Sequence, residues 1–337
     1  MSLSTKSTPA VITFGPIALS APDRGQDLHM RVSAPAVGTN LPVILMAHGF
    51  SKSLRDYAPL VDFWTAHGFA VIQPTFLDSA TLGLAPDDPR TRDIWKHRVS
   101  DMKRILDHLD QIEDTVPNLN GRLDQTRIAA VGHSYGGQTV GMLLGARVIA
   151  SDGTIGDDMS DPRIKVGVLL STTGLGGEFL TSFAAEHFSF MTPSFTELTT
   201  PVLVFAGDKD DSPLSTRGPD WFTDVYTLSP GATALVTLFG GEHLLGGITG
   251  YGVTDTTDES PARVSAVQGL STAYLRSALY DDETAWSNAA KAFADNSDPQ
   301  GHIEKSLPSR RPRQPWHPSA SKPHPMETLG TERNLEP

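Results

Sequence analysis

Short, nearly continuous apolar runs recur along the chain, separated by longer stretches in which apolar residues return every three or four positions. The runs are Pro42–Ala47, Phe69–Gln73, Arg127–Val131, Lys165–Leu170, Pro201–Ala206 and Ala234–Phe239. Strands of a parallel sheet read this way because helices cover both of their faces. Val11–Phe14 and Leu28–Val32 predict two leading strands, antiparallel to one another. In Asp93–Glu113 the residues Trp95, Val99, Met102, Ile105, Leu106, Leu109 and Ile112 fall on one stripe of a helix. Further helices are predicted over about Pro261–Tyr280 and over Glu283–Ala294. Strands alternating with helices imply βαβ units, and so an α/β fold with a mostly parallel central sheet flanked by helices. Residues 1–297 are expected to hold this single domain, its regular elements starting near residue 10.

Two connections are longer than such a sheet requires. Residues 139–164 contain a helix and a polar loop, and 171–200 form a cap-like insertion rich in aromatic residues. From 298 to 337 the chain is rich in Pro and poor in apolar periodicity, which predicts a tail unable to offset its ordering entropy by burial.

Composition narrows the chemistry. The 337 residues include no Cys, which removes disulfides, thiolate metal sites and Cys nucleophiles. A net charge of −12 argues against nucleic-acid or anionic-membrane partners, which are held by clustered Lys and Arg. No apolar run is long enough to span a bilayer, and the N-terminus lacks the basic start and apolar core of a secretory signal. A cytoplasmic location is the expectation that follows. No sequence feature predicts an oligomeric state.

The most informative motif is Gly132-His133-Ser134-Tyr135-Gly136, set between the run Arg127–Val131 and the helical stretch that begins at Gln138. G-x-S-x-G between a strand and a helix is a nucleophile elbow, which lifts the serine hydroxyl to the sheet's carboxyl edge. Ser134 is therefore the candidate nucleophile. Chain order then calls for an acid and a histidine. The run Pro201–Ala206 leads into Gly207-Asp208-Lys209-Asp210-Asp211, from which Asp210 is chosen as the acid, with Asp208 and Asp211 as competitors. This segment lacks the alternating ligand spacing of a calcium loop. Past the last run, Gly240-Gly241-Glu242-His243 supplies His243 as the base. At His48-Gly49-Phe50 the candidate group is backbone: the Phe50 amide and the Tyr135 amide are expected to form an oxyanion hole. Gly49 is expected to allow the tight turn that aims it. His133, inside the elbow, reads as structural. Tyr57, Phe179, Phe183 and Phe188 are candidates for lining an apolar substrate pocket.

The segments AHGFSKSLRDYAPLVDFWTAHGFAVIQPTFLDS, IWKHRVSDMKRILDHL and RIAAVGHSYGG resemble the α/β-hydrolase superfamily. Within it the chain is similar to the dienelactone hydrolase, chlorophyllase and platelet-activating-factor acetylhydrolase group, chiefly over residues 40–140. The resemblance implies a serine hydrolase acting on small-molecule carboxylic esters with no metal or other cofactor. It departs at three points. Dienelactone hydrolases proper use a Cys nucleophile, which this chain lacks. In the acetylhydrolase branch the acid follows the preceding strand, which here ends Leu170-Ser171-Thr172-Thr173 without a carboxylate. Chlorophyllases generally carry Arg after the nucleophile, where this chain has Tyr135. The same three side chains would also serve acyl transfer, perhydrolysis or amide cleavage, and the fold alone would serve a binding protein.

Overall fold

The computed structural model describes residues 9–85 and 87–306. Its strands are β1 (Val11–Leu19), β2 (Leu28–Pro35), β3 (Leu41–Ala47), β4 (Ala70–Pro74), β5 (Leu123–His133), β6 (Arg147–Val148), β7 (Ile164–Leu170), β8 (Pro193–Ser194), β9 (Val202–Gly207), β10 (Ala232–Leu238) and β11 (Gly301–Lys305). Its helices are α1 (Ala58–Ala66), α2 (Ile94–Asp107), α3 (Leu109–Thr115), α4 (Tyr135–Leu143), α5 (Ser182–His187), α6 (Asp224–Leu228), α7 (Pro261–Leu279) and α8 (Glu283–Ala294). Nine strands make one sheet in the order β1-β2-β4-β3-β5-β7-β9-β10-β11, while β6 and β8 pair in a separate short ribbon. From β4 through β10 the neighbours are parallel, and β1, β2 and β11 run antiparallel to theirs. This is the α/β-hydrolase fold.

The apolar runs occupy the sheet centre for the expected reason. Alternate residues of each strand feed two cores, with Val43, Leu45 and Ile128 on one side and Ile44, Met46 and Val131 on the other. Leu41–Ala47 is buried throughout. Helices α2, α3 and α4 contribute to the first core and α1 and α7 to the second, so both faces are covered. Among the described residues no helix is long and apolar enough to cross a membrane.

Two expectations change. The Asp93–Glu113 stripe is not one helix but two, α2 and α3, broken at His108, whose ring bonds back to the Arg104 carbonyl at 2.8 Å. The segment past residue 298 does not leave the body at once. Gly301–Lys305 adds an edge strand, pairing Val236 with Ile303 and Leu238 with Gly301. Backbone pairing needs no apolar periodicity, and Ile303 packs on the core formed by β10 and α7. The remainder of the expected tail lies outside the described residues.

Because β3, β5, β9 and β10 are parallel, their carboxyl ends share one edge of the sheet. The segments leaving that edge are His48–Phe50, Ser134–Tyr135, Gly207–Asp211 and Phe239–His243. Topology therefore gathers residues that lie up to 195 positions apart (243 minus 48) in the sequence.

Candidate active site

Ser134 sits between the last residue of β5 and the first of α4, with φ +55° and ψ −121°. A non-glycine residue in that region is strained, and here it is held by its own amide bonding to the Leu170 carbonyl of β7 at 2.9 Å. The elbow glycines are required by close approach: a Cβ on Gly132 would overlap the Gly136 carbonyl, and one on Gly136 would overlap the Ala47 carbonyl of β3. The hydroxyl Oγ lies 2.8 Å from His243 Nε2.

His243 reaches Ser134 from the loop after β10, and its Nδ1 faces Asp210 with the two carboxylate oxygens at 3.0 and 3.2 Å. Asp210 is fully buried, so its charge acts on the imidazole with little screening by water. The three competing aspartates take distinct roles. Asp208 accepts from the Gly240 amide at 2.7 Å and fastens the turn ahead of His243. Asp211 lines a cleft of about 450 Å³ beside His243, together with Lys209, Glu242, Asp255 and Thr257. Phe222, buried, lies with its ring centroid 5.6 Å from that of His243.

The Phe50 and Tyr135 amides meet the same edge, and neither donates to another group among the described residues. For Tyr135 this follows from its place in the first turn of α4, where helix geometry leaves N–H groups unpaired. For Phe50 the peptide is held from its other end: His48 Nδ1 donates to the Gly49 carbonyl at 2.7 Å. His48 Nε2 in turn accepts from the Phe76 amide at 3.0 Å. Burial, and then the nearby Arg98 charge, push the His48 pKa down to about 4, which keeps the ring in the single tautomer that both bonds need. The His48 ring thus holds the loop whose Phe50 amide is the candidate group. Gly49 is also needed for approach rather than for a turn, since a Cβ there would sit 3.1 Å from Tyr57 Oη and 3.2 Å from His133 Nδ1.

Sequence reasoning missed Arg98. Its guanidinium is fully buried between the rings of Phe76 and Tyr135, 4.2 and 4.3 Å from their centroids. It pairs with Asp78 at 2.7 Å, donates to Thr139 Oγ1 at 3.0 Å and hydrogen-bonds the His48 carbonyl. The signal was present: Arg98 falls at helical spacing between Ile94 and Met102, a charge on the buried side of α2.

The expected pocket residues divide. Tyr57 is no pocket wall. It is fully buried, its hydroxyl accepts from the Gly49 amide at 2.9 Å, and it lies 2.9 Å from His133 Nδ1. Phe183 is 56% exposed and meets Phe188 edge to face, and Phe188 meets Phe190 in the same way. Phe190, not singled out in advance, stacks on Tyr135 at 5.4 Å and on Trp95 at 6.0 Å. An aromatic run therefore leads from the surface to the residue after Ser134. Phe179 makes a different contact, beneath the Arg217 guanidinium at 5.0 Å. Phe50 is 58% exposed beside its own amide. Among the described residues no three His, Asp or Glu side chains converge as metal ligands.

The parallel sheet and its flanking helices define the class: this chain has the α/β-hydrolase fold, with Ser134, His243 and Asp210 brought together at the carboxyl edge. Comparison with known proteins finds partial similarity to more than one kind of protein. The family model Chlorophyllase matches residues 10–150, a span that holds the Phe50 loop and the elbow but neither Asp210 nor His243. Chlorophyllase-1, chloroplastic, of Citrus unshiu is 27% identical over 164 residues, covering 43% of this chain and 46% of that protein. The Citrus sinensis protein of the same name is equally similar, 27% over 164 residues. A putative non-heme haloperoxidase of Mycobacterium phage D29 is 32% identical over 144 residues, covering 41% of this chain and 44% of the relative. The matched part spans less than half the length of each of these relatives.

Proposed function

We propose that the chain is a carboxylic-ester hydrolase working through an acyl-enzyme on Ser134. The observation that carries this reading is the linked geometry Ser134 Oγ–His243 Nε2 at 2.8 Å and His243 Nδ1–Asp210 at 3.0 Å. His243 takes the proton from Ser134 as the hydroxyl oxygen attacks the ester carbonyl carbon. The tetrahedral oxyanion is held by the Phe50 and Tyr135 amides. On collapse the alkoxide leaves with the proton from His243, and the acyl group stays on Ser134. Water then attacks the acyl-enzyme, losing its proton to His243, and the acid departs as Ser134 Oγ is reprotonated. Asp210 fixes the His243 tautomer and stabilises the imidazolium that forms twice per cycle.

The substrate reading is a small-molecule ester with an apolar or bulky acyl or alcohol group. The run Tyr135–Phe190–Phe188–Phe183 supports it, since such a wall gains by covering apolar surface. Hydrolysis of p-nitrophenyl acetate, butyrate, octanoate and palmitate, beside the Ser134→Ala variant, tests both parts. The expected result is activity that vanishes in the variant and rises from acetate toward the longer chains. Unchanged activity in Ser134→Ala would remove the reading. Running the same assay with peroxide or an amine as acceptor separates hydrolysis from acyl transfer.

A further inference from the structure

We infer that Tyr57 and His133 are positioning residues, a hydrogen-bonded strut that couples the oxyanion loop to the loop bearing the base; the inference rests on the serine-hydrolase reading above. Four groups form one continuous line. The Gly49 amide lies 2.9 Å from Tyr57 Oη, Tyr57 Oη lies 2.9 Å from His133 Nδ1, and His133 Nε2 lies 2.8 Å from the carbonyl oxygen of His243. The first of these residues precedes Phe50, whose amide faces the oxyanion, and the last is the base itself. Both middle residues are buried, so neither meets substrate.

The ends of the line fix its direction. A backbone N–H can only donate and a backbone carbonyl can only accept. Tyr57 Oη therefore accepts from Gly49 and gives its own hydrogen to His133 Nδ1. That nitrogen must be bare, so the hydrogen of the neutral ring sits on Nε2 and goes to the His243 carbonyl. Each donor is used once, and only one tautomer satisfies all three bonds. Burial, and then the proximity of His243, hold the His133 pKa down to about 3, so the ring keeps that form at neutral pH.

Two further features make the strut rigid. Tyr57 stands at the N-terminus of α1 with φ +68°, a left-handed conformation that a bulky residue rarely takes. Its own amide donates to the Thr249 carbonyl at 2.6 Å, in the loop that follows His243. Tyr57 is thereby tied to both loops by main chain and side chain. The consequence lies in aim. The Gly49 carbonyl and the Phe50 N–H share one peptide plane, so the His48 bond to that carbonyl sets the direction of the Phe50 N–H, and the Tyr57 bond to the Gly49 amide holds the preceding peptide against which that plane would swing. Oxyanion stabilisation depends on donors placed before the charge appears.

The test is steady-state hydrolysis of p-nitrophenyl butyrate by Tyr57→Phe, His133→Ala, His133→Gln and the Tyr57→Phe/His133→Gln double variant, with inhibition by butylboronic acid measured in parallel. Tyr57→Phe is expected to lower kcat by about 10- to 100-fold with KM changed by less than about threefold, the mark of an interaction felt in the transition state. Boronate affinity should fall with kcat. His133→Ala should fall furthest. His133→Gln should recover part of that loss, because its amide can still donate to the His243 carbonyl. Since the amide nitrogen introduced by His133→Gln, when it donates to the His243 carbonyl, leaves the amide oxygen away from the position of the Nδ1 acceptor, adding Tyr57→Phe to His133→Gln should cost less than it does alone. Ser271→Ala, which removes the partner of the Trp64 ring nitrogen, is the control for general loss of stability. The inference is overturned if Tyr57→Phe and His133→Gln keep kcat within about twofold of the parent. It is also overturned if their losses match those of Ser271→Ala at an equal drop in melting temperature. Full turnover by Ser134→Ala would instead remove the hydrolase reading, and the strut with it.

Discussion

Lowering the pH from 7 to 5 should destabilise this protein through two buried histidines, and the size follows from their surroundings. His48 and His133 are buried and bonded as neutral rings, with pKa values down to about 4 and about 3. In the unfolded chain both titrate near 6.5. Between those values the unfolded state binds more protons than the folded one, so stability is present above pH 6.5 and is lost as the pH falls. Carrying the linkage relation from pH 7 to pH 5 gives about 2 kcal/mol for each ring. Asp101 opposes this. Burial, outweighing the opposing charge of Arg24, pushes its carboxyl up to about 7, so its folded form gains a proton over the same interval and is stabilised relative to the unfolded chain, by about 2 kcal/mol. The raw pH profile is therefore shallow, and the difference between proteins is the informative quantity. Urea titrations at pH 7, 6 and 5 should show His133→Asn losing about 2 kcal/mol less than the parent across the range. The ring-proton NMR signals of His48 and His133 should not titrate above pH 5. Titration of either ring near 6.5 would refute the buried, single-tautomer account of both.

Three further variants test other contacts around the candidate site. Arg98→Met leaves the Asp78 carboxylate, its side chain 1% exposed, without its cation and should cost about 3–5 kcal/mol by urea denaturation, part of it recovered by Asp78→Asn in the same chain. Asp208→Ala should lose about 1 kcal/mol of stability with the Gly240 contact and keep kcat within about threefold, whereas Asp211→Ala should leave stability within about 0.5 kcal/mol.

The sheet and the elbow were legible because their causes are local. Runs such as PVILMA carry their two-sided burial in their composition, and G-H-S-Y-G carries the steric demand of a strand meeting a helix. In the sequence Asp210 is one of three candidate acids. What separates it from Asp208 is the turn after β10, whose Gly240 amide claims Asp208 across a tertiary contact. Tyr57 is buried rather than a pocket wall. Its nearness to Phe50 in sequence suggested a pocket wall, and nothing short of the fold shows its hydroxyl reaching His133, 76 positions away. His133 was rightly read as structural in burial, but its place between two loops depends on three elements at once. Arg98 is hard to read from sequence because apolar residues define the α2 stripe, and its buried charge is recognised only from the tertiary partners it meets. Gly301–Lys305 has the composition of a tail, because an edge strand is held by main-chain bonds, which composition does not reveal.

Labelling with a fluorophosphonate, read by intact mass and peptide mapping, tests the central claim most directly, since the reagent reports an activated serine whatever the natural ester. The account predicts one adduct, on Ser134, absent from Ser134→Ala and formed at least about 10³-fold more slowly in His243→Ala and Asp210→Asn. An adduct on another residue, or a Ser134 rate indifferent to both substitutions, would contradict it.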